Sequence, residues 1–268
     1  MILYKYTKIG LHRLFPAILF CGVFLLETAY SQPVNQDKYV QIADAAYHTT
    51  QAQFLSTTND DPIAWQFARA CYNLADFATN DDNRAELAIQ GISACRKLIR
   101  EQPKSGPAHY YLGMNLGQLA RTELLGALAL VQEMETEFTT AWTLDKQVDH
   151  AGAARSLGLL YRDAPGWPAS IGSKMKSREW LERAGRSSPD FPENLLVLSE
   201  SYLQWDEPTA AAEKIKALNL LWPQAQTNYT GQAWEKDWAD WSARRLAAQK
   251  EIIRQSVPTN RTNRRGTD

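Results

Sequence analysis

Few residues in this sequence stand at spacings that support covalent or metal chemistry. His48, His109 and His150 lie far apart along the chain, whereas metal sites gather their ligands at short, regular intervals. Glu133, Glu135 and Glu137 alternate, and on a helix that spacing splays carboxylates around the axis instead of pairing them. No H-E-x-x-H, G-x-S-x-G, phosphate-cradling glycine loop or C-x-x-C motif occurs. The expected chemistry is therefore recognition, with no catalytic residue, no metal and no cofactor.

The candidates for recognition are Tyr111, Asn115, Arg155, Tyr161, Trp167, Pro168 and Ile171. Tyr111 and Asn115 sit one helical turn apart and can face one groove; as core residues they would instead satisfy their polar tips internally. An inward Arg155 suits a bidentate contact with an anionic ligand or a partner carboxylate, or a structural pair with Glu135 or Asp163. Trp167 lies between Gly166 and Pro168 in the run Asp163–Ser173. This run is apolar and proline-rich where loops are usually polar. Its restricted backbone lowers the entropy lost on ordering, so the expectation is an ordered loop that buries Trp167 and Ile171. Trp167 would then either gate a ligand cavity near Tyr111, Asn115 and Arg155, or plug the groove between neighbouring repeats.

These side chains need helices to position them, and the spacing supplies helices. A small residue recurs in a helical aromatic frame at Trp65-x-x-Ala68-Arg69-x-x-Tyr72, His109-x-x-Leu112-Gly113, Ala154-x-x-Leu157-Gly158-x-x-Tyr161 and Leu195-x-x-Leu198-Ser199-x-x-Tyr202. That is the first-helix signature of the tetratricopeptide repeat. A second-helix pattern follows each time: Cys95/Leu98/Pro103, Phe138/Ala141/Lys146, Leu181/Ala184/Pro189 and Ile215/Leu218/Pro223. The small residue lets antiparallel helices approach, the knob fills the gap, and proline ends the helix. The fold class is all-α: a tetratricopeptide-like helical-hairpin solenoid of about four irregular repeats, with a leading and a capping helix. The leading helix spans about 36–54 and the cap about 231–254.

Only the last repeat has standard length, with 19 residues from Ser199 to Leu218; Gly158 to Ala184 spans 26 and Gly113 to Ala141 spans 28. Repeat two is expected to spend its excess on longer helices, since 121–142 holds no proline. Repeat three spends it on the Trp167 loop. Insertions in solenoids collect on one face, often the binding face. Trp234, Trp238 and Trp241 form a stripe that must be buried, against Trp222 and the last repeat or against a partner.

Residues 1–31 read as a secretory signal peptide. Lys5, Lys8 and Arg13 precede an apolar run, Leu14–Leu26, and Ala29-Tyr30-Ser31 predicts cleavage before Gln32; the alternative is an uncleaved anchor. Phe20 before Cys21 argues against a lipid anchor there. Residues 32–257 form the helical domain and 258–268 a disordered tail. A formal net charge of −1 lacks the basic excess of a nucleic-acid binder. Cys71 and Cys95 fall on facing helices of one hairpin, and either pack as free buried thiols or form a disulfide in an oxidising compartment.

From Trp65 to Trp205 the chain resembles the T-component family of TRAP transporters. The resemblance rests on His109-Tyr-Tyr-Leu-Gly, Val131-Gln-Glu-Met-Glu135, Gly152–Tyr161, Leu181-Glu-Arg-Ala184 and, most specifically, Ala164-Pro-Gly-Trp-Pro-Ala-Ser-Ile-Gly172. It implies an exported, periplasmic accessory of a solute-uptake system, partnered with a periplasmic solute-binding protein and able to hold an apolar organic ligand. A homo-oligomer is compatible with it. A weaker likeness, through the same repeat arrangement, is to the regulators of microtubule dynamics. The rival functional reading is a general periplasmic scaffold for protein–protein interaction.

Overall fold

The computed structural model describes residues 36–56, 61–123 and 126–256. The expected leader (1–31) and tail (258–268) lie outside these residues. Among the described residues there are ten α-helices and no strand, joined into antiparallel hairpins. The chain divides into two compact units, with the division between Met134 and Glu135.

The first unit opens with α1 (Gln36–Ser56), followed by α2 (Asp61–Ala75), α3 (Asp81–Glu101) and α4 (Gly106–Ala120). The side chain of Asn80 accepts from the Asn83 amide and starts α3; Ser105 does the same for α4 through Ala108. Each cap satisfies one of the donors that a helix N-terminus leaves orphaned. The buried faces carry the residues expected at the hairpin contacts: Ala68, Cys71, Cys95 and Leu98 are almost fully enclosed. Tyr47, Phe67, Cys71 and Ala94 form one core cluster, and Ala64, Leu98 and Ala108 another.

Helix α5 (Ala127–Leu144) carries the unit boundary, and the second unit continues with α6 (Gly152–Asp163), α7 (Lys174–Ser187), α8 (Pro192–Gln204), α9 (Pro208–Asn228) and α10 (Glu235–Ser256). A Cβ on Gly158 would lie 2.5 Å from the Leu181 side chain. Here the small residue and the knob of the repeat meet, and only glycine permits the approach. Ser199 fills the equivalent place by donating to the Ala211 carbonyl at 3.1 Å. Trp238 packs edge-on against Trp222, with ring centres 5.1 Å apart, and Trp241 is 2% exposed. The tryptophan stripe thus caps the last hairpin.

One expectation about length is largely met and one is overturned. Against repeat four, repeat two places six of its nine extra residues inside helices, two at the end of α4 and four at the start of α5, and three between them. The last turn of α4 closes on itself, Arg121 N–H donating to Gln118 and Thr122 N–H to Leu119. Pro223, by contrast, does not end its helix, since α9 runs on to Asn228. A proline inside a helix costs about 3 kcal/mol. Trp222 and Ala225 are buried on either side of it, and at about 25 cal/mol per Å² their burial offsets a cost of that size.

Candidate functional site

In the second unit the chain enters α6 through three consecutive residues in the left-handed region: Asp149 (φ 49°), His150 (φ 53°) and Ala151 (φ 63°). None is glycine, and each disfavours this conformation by about 1–2 kcal/mol. Arg155, one turn into α6, holds the turn. Its Nη1 donates to the His150 carbonyl at 3.1 Å and to Asn194 Oδ1 at 2.9 Å. Its Nη2 donates to the Asp149 carbonyl at 3.1 Å and to Asp149 Oδ2 at 2.8 Å. The guanidinium also lies over the Phe191 ring, 5.2 Å from its centre. Arg155 is therefore structural, and its carboxylate partner is Asp149. Of the partners expected for it, Asp163 pairs with Arg162 and Glu135 accepts from Tyr161.

That Tyr161 hydroxyl bond ties the end of α6 to α5. Burial, with the bond to Glu135, pushes its phenol well above the ordinary range. Lys176 of α7 sits 3.8 Å from the same carboxylate and 4.8 Å from the centre of the Tyr161 ring. Next comes the loop from Ala164 to Ser173, which the backbone laces together. Gly172 N–H donates to Pro165 at 2.9 Å, Ser173 N–H to Tyr161 at 2.8 Å, and Ala169 and Ser170 N–H both to Gly166. An isolated bridge joins Gly166 to Gly172, and Trp167–Pro168 is cis.

The burial expected of this loop is not found. Trp167 is 88% exposed, Pro168 is exposed, and Ile171 is only half-buried. A gate or a plug made of Trp167 is thereby withdrawn. Hydrogen bonds, not side-chain burial, hold the loop, and they leave the indole presented to solvent on a fixed backbone.

In the first unit, Tyr111 is buried, with its ring parallel to Trp65 at 5.8 Å. Asn115 is fully buried; its Nδ2 donates to the carbonyls of Ala68 and Tyr111. The carboxamide occupies the space beside Gly91, where a Cβ would lie 2.4 Å from Asn115 Oδ1. Both side chains lock α2, α3 and α4 together. Cys71 and Cys95 are buried and not joined in a disulfide, and burial pushes the Cys71 thiol up to about 12. Among the described residues no His, Cys, Asp and Glu cluster can hold a metal, and no helix is long and apolar enough to cross a membrane.

Two features escaped the sequence reading. One is an open cleft of about 320 Å³ at one end of the α1–α3 packing, with Val40, Tyr47, Leu74, Phe77 and Leu87 for walls and Glu86 on its lining. Its residues come from three helices, so no local pattern signals it. The other is an aromatic cluster of His150, Phe191, Tyr229, Trp234 and Trp241 beside carboxylates. Burial raises Glu193, but the Arg244 charge outweighs it and holds the carboxyl at about 2. Burial pushes Asp237 up to about 6, with Glu193, Asp149 and Asp240 adding to the rise against Lys236.

Among known proteins, the model of the family described as Regulator of microtubule dynamics protein 1-3 matches residues 30–145, less than half of the chain. A solved structure of a thermophilic TPR protein from Thermus thermophilus is similar with a TM-score of 0.58. It shares 18% identity over 80% of this chain and 94% of that chain. No curated protein sequence matches. The chain thus has a tetratricopeptide-like helical fold.

Proposed function

We propose that this protein is a scaffold for protein–protein interaction, and that the loop between α6 and α7 is its docking element. The observation that carries this reading is Trp167: a large apolar side chain, 88% exposed, on a backbone fixed by its own hydrogen bonds. Tryptophan leads the residues that anchor protein interfaces. A preorganised anchor loses little entropy on binding. The TPR-like fold supports the same reading, since stacked hairpins exist to present surface.

The finer reading places the scaffold outside the cytoplasm as an accessory of a TRAP-type uptake system, with a periplasmic solute-binding protein as partner. It is supported by the Ala164–Gly172 run and the leader-like residues 1–31. The Trp167 anchor gives this partner preference over a small apolar ligand, because it projects outward. Titration of the purified full chain with a co-encoded solute receptor tests it by calorimetry. Binding that weakens at least tenfold in Trp167→Ala is expected. A receptor that binds neither form overturns the transport reading, and binding indifferent to Trp167→Ala overturns the docking element.

A further inference from the structure

We infer that Trp167 docks into the cleft between α1, α2 and α3 of a second copy of this chain, which deepens the scaffold reading by naming a partner for its docking element. The chain carries both a knob and a hole. The knob is one indole projecting from a backbone-locked loop. The hole is an open cleft of about 320 Å³, near the bottom of the range of about 300–1,000 Å³ for ligand pockets. It suits one large side chain and not a folded segment. Its walls, Val40, Leu74, Phe77 and Leu87, are apolar, while Tyr47 and Gln90, already bonded to each other at 2.8 Å, put polar atoms at its edge. An indole entering it covers apolar surface and still leaves its N–H a polar rim.

Charge agrees with shape. Glu86 lines the cleft, and Asp81 and Asp82 stand exposed in the first turn of α3 beside the lining residue Asn83. The loop runs directly into Lys174 and Lys176, both about half exposed, and with Arg178 these three cations share two carboxylates, Glu207 and Glu135, which leaves the collar basic. Acidic rim and basic collar favour this encounter over an isologous one that would bring like surfaces together. Because knob and cleft are different surfaces, the contact is heterologous: each copy offers a knob to one neighbour and a cleft to another, so it closes into a ring or extends.

Sedimentation velocity on the full chain over a hundredfold range of concentration tests the inference. The wild type is expected to self-associate with rising concentration and more weakly at high salt. Trp167→Ala and Thr79→Trp, the latter filling the exposed rim of the cleft, should each weaken association at least tenfold while keeping the wild-type circular dichroism. Mixed in equal amounts, the two variants should form a one-to-one dimer, since one supplies an intact cleft and the other an intact knob. A monomeric wild type, association unchanged by Trp167→Ala, or a mixture that stays monomeric each overturns it. Association lost in Trp167→Ala but unaffected by Thr79→Trp means that the indole docks elsewhere, and overturns it too. If the wild type is monomeric yet a solute receptor binds in a Trp167-dependent way, this inference fails and the scaffold reading stands; if Trp167→Ala changes neither, both fail.

Discussion

Arg155, which the sequence offers either as an anion contact or as a structural pair, forms the pair, with Asp149 in place of Glu135 or Asp163. Its guanidinium donates to the carbonyls of Asp149 and His150 in the left-handed turn, to the Asp149 carboxylate and to Asn194. Breaking such a buried set strands its partners, at a cost of about 3–5 kcal/mol. Arg155→Ala is therefore expected to lower denaturant stability by about that much, and Arg155→Lys to recover less than half, because a single ammonium cannot reproduce the fork. Nothing local in Asp149-His150-Ala151 announces φ above zero, so the turn that Arg155 holds was invisible in sequence. Asp237 gives the pH test. Its folded value of about 6 lies above the ordinary 3.8, so burial stabilises the protonated form. The corresponding stability is present below about pH 4 and is lost as pH rises through about 6. Asp237→Asn should add on the order of 1–2 kcal/mol at pH 7 and nothing near pH 4, as thermal melts at the two pH values will show. Glu193, held low, acts in the opposite sense: its contribution is lost as pH falls from about 4.5 toward 2.

Among the elements, the hairpin contacts were the most legible part of the chain. Gly158 against Leu181 and the buried Ser199, Phe138, Ala141, Ile215 and Leu218 occupy the places that periodicity assigned. A Gly158→Ala chain must displace Leu181, and overpacking of this kind costs about 1–3 kcal/mol; urea unfolding should show the loss. Less legible were the element boundaries, where tertiary burial overrides local signals. Pro223 reads as a stop, yet Trp222 and Ala225 carry α9 past it. Since Pro223 is exposed, Pro223→Ala restores a helical donor and should raise stability by about 1–2 kcal/mol, after allowing for the unfolded-chain entropy that proline restricts. The Trp167 loop was read correctly as special and wrongly as buried. Composition registers apolar side chains but not the direction in which the backbone points them, and here backbone hydrogen bonds supply the rigidity that burial was expected to give.

At the scale of the whole molecule, the described residues are all-α and tetratricopeptide-like, and the proposed contact role rests on the one indole held outward at Trp167. Exposure at Trp167 means that Trp167→Ala should leave stability within about 0.5 kcal/mol of wild type, so any loss of binding reports the interface itself. Trp167→p-benzoylphenylalanine, irradiated in the native host, tests the docking claim most directly. Discrete protein adducts at position 167 are expected, with peptides of the α1–α3 cleft of a second copy among those identified by mass spectrometry. Leu220→p-benzoylphenylalanine, at an equally open site on α9, should give none of them. Labelling at 167 no more specific than at 220 would contradict the claim that this loop is where the protein meets its partners.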